Sequence, residues 1–360
     1  MNIKKLIREE VLRQEAYSAP EIPCRIKLDA NESPYDLPAS LKSKIFESIK
    51  KLSLNRYPEP GSPELRAGFA KLYGIDDDML IIGNGSDELI QALLIAVKGQ
   101  NSGVVIPVPT FAMYKISAFN TDHRIIEVPL DNQFDLDVES MLEIITTESP
   151  ELIFLSYPNN PTGNCFDAGR IEAIIKESDG IVVVDEAYFN FSGKTFLPYL
   201  NKYENFVILR SLSKVGLAAM RIGILIGSPP LVHELNKVRL PYNLNALSQV
   251  AARLYIENEE EFRKQSDNIV SRREELFNEL NKIDKIHPYT SDANFILFHC
   301  SFDTDSIYYF LIKSGILIKN FNATGVLKNC MRVTAGSHEE NEEFLEALRN
   351  IVLGEELKTK

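Results

Sequence analysis

Between residues 100 and 230 the chain repeats one pattern: a short apolar run, a polar turn, then a longer amphipathic segment. The runs are Val104-Val105-Ile106, Ile125-Ile126-Glu127-Val128, Leu152-Ile153-Phe154-Leu155, residues 181–184, Phe206-Val207-Ile208-Leu209 and residues 222–226. A strand that is apolar throughout must be covered on both faces, and helical segments lying between such strands supply the cover. The order therefore predicts an α/β domain with a mostly parallel sheet flanked by helices.

After about residue 245 the texture changes. A long charged helical pattern runs over residues 246–282, and shorter strand-like runs follow at residues 294–298 and 315–319. With 360 residues the chain exceeds what one compact core usually serves. We expect a large domain over residues 46–250 and a smaller α+β domain made of residues 1–45 and 251–360. Internal repeats and low-complexity tracts are absent.

Charge narrows the function. The formal net charge is -12, whereas a protein that neutralises nucleic-acid phosphates needs a basic face. The apolar runs are far too short to span a bilayer and residues 1–10 lack a signal-peptide stretch, so the expected address is cytoplasmic, with no membrane partner. Cys24, Cys165, Cys300 and Cys330 form no C-x-x-C pair, and His123, His233, His287, His299 and His338 lie far apart, so no metal site is expected.

In open α/β sheets, ligands bind beyond the carboxyl ends of the strands. There the chain carries Pro109-Thr110-Phe111, Pro158-Asn159-Asn160-Pro161-Thr162-Gly163, Asp185-Glu186-Ala187-Tyr188 and Ser211-Leu212-Ser213-Lys214. A lysine that forms a Schiff base must be fixed in place and must lose its proton easily, which burial and cationic neighbours bring about. Lys214 stands out from the chain's other lysines because Ser211 and Ser213 precede it and Arg221 follows.

Pyridoxal 5′-phosphate (PLP) needs a phosphate cup, a partner for its pyridine nitrogen and a face on which to stack. Backbone N–H groups of Gly85, Ser86 and Asp87 at a helix start, the hydroxyls of Ser211 and Ser213 and the Arg221 guanidinium are candidates for the cup. In the same segment Asn84 or Ser86 is placed to cap the helix by its side chain. Asp185 is costly to bury without a cation, and a protonated pyridine nitrogen is such a cation. Tyr188 and Asn160 are placed to hydrogen-bond the ring's phenolic oxygen, and Phe111 to stack on its face.

Taken in order, these motifs, together with Leu28-Asp29-Ala30-Asn31-Glu32-Ser33-Pro34, Arg56-Tyr57-Pro58-Glu59-Pro60, Pro109-Thr110-Phe111-Ala112-Met113-Tyr114 and Met331-Arg332-Val333-Thr334, resemble the fold-type I PLP enzymes. Within them the chain looks like the histidinol-phosphate aminotransferases over nearly its whole length. The resemblance implies that Lys214 carries the cofactor and shuttles the substrate proton, with Asp185, Tyr188 and Asn160 at the ring. It implies that Arg332 takes the substrate carboxylate or phosphate region, with Asn31, Lys319 and Tyr17 at the substrate. It also implies a homodimer with a shared active site, in which Tyr57 reaches the cofactor phosphate of the other subunit. The implied reaction is a ping-pong transamination from glutamate, which leaves 2-oxoglutarate, to imidazole-acetol phosphate, which leaves as histidinol phosphate. Aromatic-amino-acid transamination and threonine-phosphate decarboxylation use the same apparatus and stay open at this stage.

The chain departs from that pattern in three places. Phe111 replaces a common tyrosine. The interval from Lys214 to Arg221 is one residue shorter than usual. Lys319 stands where an arginine is usual, a point charge in place of a bidentate fork.

Overall fold

The computed structural model describes residues 3–14, 16, 22–98, 102–301, 303–321 and 325–354. Among the described residues, twelve strands form two sheets. In chain order they are β1 (Ile26–Leu28), β2 (Leu80–Asn84), β3 (Gly103–Val108), β4 (Arg124–Pro129), β5 (Leu152–Ser156), β6 (Ile181–Asp185), β7 (Phe206–Ser211), β8 (Ile222–Gly227), β9 (Ile286–Pro288), β10 (Phe295–Cys300), β11 (Ile316–Asn320) and β12 (Cys330–Thr334).

The larger sheet has the order β2-β8-β7-β6-β5-β3-β4. Strands β4, β3, β5, β6 and β7 run parallel, and β8 runs against both of its neighbours, β7 and β2. Every residue of β5 and β7 is buried, as continuous apolar runs require when helices cover both faces. Alternate side chains feed two cores: Ile153, Leu155, Val184 and Ile208 on one face, Phe154, Val183, Val207 and Leu209 on the other. Burial of one such side chain stabilises the fold by about 1.5–3 kcal/mol.

Register aligns the strand ends. Ser156 pairs with Asp185, and Asp185 with Leu209, so the turns that follow β5, β6 and β7 emerge side by side.

The smaller sheet has the order β1-β11-β12-β10-β9. Strand β1 enters it from the N-terminal segment, pairing in parallel with β11 from Ile26↔Ile316 to Leu28↔Ile318. The next helix, Ala39–Ile49, turns away and buries Leu41 and Ile45 in the core of the larger sheet.

The charged pattern over residues 246–282 forms two helices, Ala246–Glu257 and Glu259–Leu280, in place of one continuous element. Asn258 breaks it: its backbone leaves the helical region, and its side-chain amide donates to the Leu254 carbonyl. Glu259, Glu260 and Glu261 then open the second helix, where the positive end of the helix dipole favours acids. Among the described residues, no helix is long and apolar enough to cross a membrane.

Candidate active site

The turn after β2 carries the first part of the site. Gly85 occupies the cap position of helix Ser86–Ala96 at φ +83°, and neither Asn84 nor Ser86 caps the helix through its side chain, contrary to the sequence reading. The cap position falls on Gly85, which has no side chain to offer, and one turn further on the Glu88 carboxylate accepts the backbone N–H of Asn84 and the side-chain amide of Asn243. The helix start keeps the backbone donors of Ser86 and Asp87 for an anion, whereas the Gly85 N–H, also expected to serve there, is taken by the Gly83 carbonyl at 3.0 Å.

Two glycines shape this turn, Gly85 through its positive φ and Gly223 through the backbone it lets approach. A Cβ on Gly85 would lie 2.6 Å from Nη2 of Arg221, and a Cβ on Gly223 in β8 would lie 2.3 Å from the Gly85 carbonyl carbon.

Arg221, immediately before β8, reaches the same place. It sits in the left-handed region at φ +49°, at the end of the short helix Ala218–Met220. Its Nη2 donates to Asp87 Oδ2 at 2.9 Å and its Nη1 to Ser213 Oγ at 3.4 Å. Ser211 Oγ donates to Ser213 Oγ at 2.9 Å and accepts the Ser213 backbone N–H. The shorter interval from Lys214 to Arg221 therefore still brings Arg221 to Ser213 and to the Gly85–Asp87 turn.

Lys214 follows directly. Its Nζ donates to the Ala30 carbonyl at 3.2 Å and lies 5.9 Å from the centre of the Tyr188 ring. Burial, reinforced by the positive charge of Arg332, lowers its pKa to about 8, against the opposing pull of Glu32 and Asp87.

Asp185 is buried at the end of β6. Its Oδ2 accepts the Tyr114 hydroxyl at 2.7 Å and its Oδ1 the Ala187 backbone N–H at 3.0 Å. Among the described residues it forms no ion pair. Burial pushes its pKa up to about 6, although both donors pull the other way.

Tyr188, also buried, accepts amide hydrogens from Asn31 at 2.8 Å and from Asn160 at 3.3 Å. With both acceptor positions used, the hydroxyl proton is left to donate to a ligand oxygen. Asn160 extends to the smaller sheet, where its Oδ1 accepts from Nη1 of Arg332. Arg332 also donates from Nη2 to the Asp29 carbonyl at 2.6 Å, and its guanidinium lies 5.1 Å from the centre of the Phe295 ring.

Lys319 in β11 is directly opposite Arg332 in β12, so the two side chains leave the same face of the sheet, and Lys319 is exposed. Phe111, half-buried, meets the Tyr114 ring edge-on at 5.4 Å. Tyr57 is turned outward: it is 81% exposed and stacks on Tyr242 at 4.5 Å. Tyr17 lies outside the described residues. Among the described residues, no group of three or more histidine, cysteine or acidic side chains could hold a metal ion.

Comparison with known proteins bears on this geometry. Residues 25–348 match the family model described as aminotransferase class I and II. The chain belongs to that family. This aminotransferase is 42% identical over 348 residues to the histidinol-phosphate aminotransferase of Aquifex aeolicus, covering 96% of this chain and 98% of the relative. It is likewise 42% identical to histidinol-phosphate aminotransferase 2 of Nitrosococcus oceani, over 96% of this chain and 97% of that one. Among solved structures, the histidinol-phosphate aminotransferase of Sinorhizobium meliloti in complex with PLP superposes with a TM-score of 0.87 at 21% identity, over 96% of this chain and 97% of the other. L-threonine-O-3-phosphate decarboxylase of Porphyromonas gingivalis gives 0.80 at 19% identity, over 91% and 99%. The fold is thus shared by transferases and a lyase, and fold alone does not choose between them.

Three residues of this aminotransferase received no role in the reading of its sequence by strand ends. Tyr114 stands on a helix and reads as core. Gly223 sits inside a strand, and an isolated glycine there marks a close backbone approach. Asn159, fully buried, holds the Thr110 turn by accepting the Thr110 hydroxyl at 2.7 Å and donating to the Pro109 carbonyl at 2.9 Å.

Proposed function

We propose that this aminotransferase uses PLP to move an amino group from glutamate to imidazole-acetol phosphate, giving histidinol phosphate and 2-oxoglutarate, and that it works as a cytoplasmic homodimer. The observation that carries the substrate assignment is the 42% identity, over nearly the full length of both chains, to relatives named for that reaction.

The residues present fit the cofactor. Asp185 is a buried carboxylate without an ion pair among the described residues, as a partner for a ring cation should be. The Gly85 turn, Ser211, Ser213 and Arg221 converge as a phosphate cup should, at a spot where a single Cβ would collide with Arg221. Lys214 would hold the cofactor, Asp185 would face the ring nitrogen, Tyr188 and Asn160 the phenolic oxygen, and Phe111 a ring face. PLP, when bound, supplies an electron sink that makes the hydrogen on a substrate's Cα acidic.

The chain's own groups do the rest. The Lys214 amine, with its pKa near 8, is neutral in a useful fraction of molecules at physiological pH and serves as proton acceptor and then donor at the substrate. Arg332 orients the substrate carboxylate, with its guanidinium set by Asn160 and Asp29. Lys319, on the same face, offers a charge for a more distant phosphate.

Tyr57 supports the shared-site reading, since a large aromatic ring that is 81% exposed, close in sequence to Leu54 at 78%, is suited to burial against a second copy. The substrate test is a half-reaction. Purified holoenzyme is mixed with histidinol phosphate and, separately, with phenylalanine, and loss of the cofactor's visible band is followed. Rapid loss with histidinol phosphate supports the assignment; rapid loss with phenylalanine alone overturns it. Carbon dioxide release from threonine phosphate would mark the lyase instead.

A further inference from the structure

Asp185 poses a problem that the cofactor alone does not solve. A carboxyl buried beside negative neighbours tends to hold its proton, and a neutral acid makes a poor partner for a ring cation. The charged groups that act on it, Asp87 from helix Ser86–Ala96 and Glu186 from its own strand end, both favour protonation. Two hydrogen bonds oppose them, one from the Ala187 backbone and one from Tyr114.

The Tyr114 side chain is fixed. It is fully buried, and its ring stacks on Phe154 of β5 at 4.8 Å with only 9° between the planes. Tyr114 also lies three residues after Phe111, at the start of helix Ala112–Asn120, so the two rings share one helix face and meet edge-on at 5.4 Å. One short helical turn therefore carries both the candidate ring-stacking residue and the donor to the candidate nitrogen partner.

We propose that Tyr114 is a positioning residue, which keeps Asp185 ionised and aimed at the ring nitrogen and ties that carboxylate to the stacking face formed by Phe111. The inference rests on the PLP reading given above. Tyr114 does not touch the reacting atoms; it acts through Asp185. A tyrosine that merely filled the core would leave the titration of Asp185 unchanged when its hydroxyl was removed, because phenylalanine keeps the ring and its stacking.

The test is Tyr114→Phe, with Asp185 followed in the apoprotein by carbon-13 NMR of labelled aspartate, assigned by comparison with Asp185→Asn. The loss of a charge-assisted hydrogen bond should raise the Asp185 pKa by roughly one to two units. PLP affinity should then fall about twofold to tenfold at pH 7 and recover as the pH rises and the carboxyl ionises. Incorporation of 3-fluorotyrosine at position 114, a stronger donor of the same shape, should move the Asp185 pKa the other way, which keeps the test open if Tyr114→Phe does not fold. An unmoved Asp185 titration in a folded variant, with wild-type protein binding PLP normally, overturns the role of Tyr114 alone. Failure of wild-type protein to bind PLP would bring down the cofactor reading and this inference with it.

Discussion

Asn160, in the turn after β5 of the larger sheet, and Arg332, in β12 of the smaller one, meet through a hydrogen bond in which the guanidinium Nη1 donates to the side-chain oxygen of Asn160. The amide nitrogen of the same asparagine donates to Tyr188. One side chain therefore sets the orientation of the candidate substrate-binding arginine and of a candidate cofactor contact together, and asparagine suits both tasks because it carries an acceptor and a donor on one planar group.

That dual role separates two variants. Arg332→Ala removes the cation and should raise the apparent KM for glutamate by about tenfold to a hundredfold, as expected for loss of a charge-assisted contact, while PLP is retained. Asn160→Asp keeps an acceptor for Arg332 but converts the contact into an ion pair and deletes the donor to Tyr188. It should raise KM by holding the guanidinium away from substrate and should also weaken PLP binding. Steady-state kinetics with glutamate, paired with equilibrium PLP titration, checks both. Equal loss of cofactor in Arg332→Ala would contradict its assignment to substrate.

Lys214 offers a prediction from pH. Its folded-state pKa, about 8, lies below the ordinary lysine value of 10.5, so between those two values the unfolded chain binds more protons than the folded one. Apoprotein stability should therefore rise with pH across that window. Below it the buried charge costs a constant amount, about 1–3 kcal/mol after allowance for partial exposure. In Lys214→Ala that rise disappears from urea-unfolding free energies measured between pH 7.5 and 10.5. The same variant should lose turnover and the visible band of the cofactor-loaded protein, and normal activity in it would refute the whole site.

Much of this was legible in the sequence because a parallel sheet converts order along the chain into neighbourhood in space. Ser156, Asp185 and Leu209 fall into register, so residues that merely followed successive apolar runs end up in one cluster. What escaped the reading depended on contacts that no local pattern encodes. Tyr114 meets Asp185 across 71 positions of sequence, and Gly223 meets Gly85 only because β8 reverses direction beside β2. The helix break at Asn258 did carry a local signal, three successive glutamates suited to a helix start, which the charged periodicity around it obscured.

Behind the site, next to Asp185 in sequence, lies a pair that the chemistry does not use. Glu186 and Arg210 are both buried and joined at 2.8 Å, with Thr195 and the Phe196 backbone completing the carboxylate's hydrogen bonds. The guanidinium is held between rings, 3.8 Å from the centre of Phe189 and 4.5 Å from that of Tyr73. Such a pair contributes little net stability compared with apolar residues of the same shape, but breaking one half strands a charge. Arg210→Met should accordingly destabilise the protein by about 3–5 kcal/mol, and Glu186→Gln by less, because glutamine still accepts from Thr195 and Phe196. The double variant Glu186→Gln with Arg210→Met should recover a large part of that loss. Chemical denaturation of the four proteins forms a double-mutant cycle, and additive losses would show that the two side chains do not depend on each other.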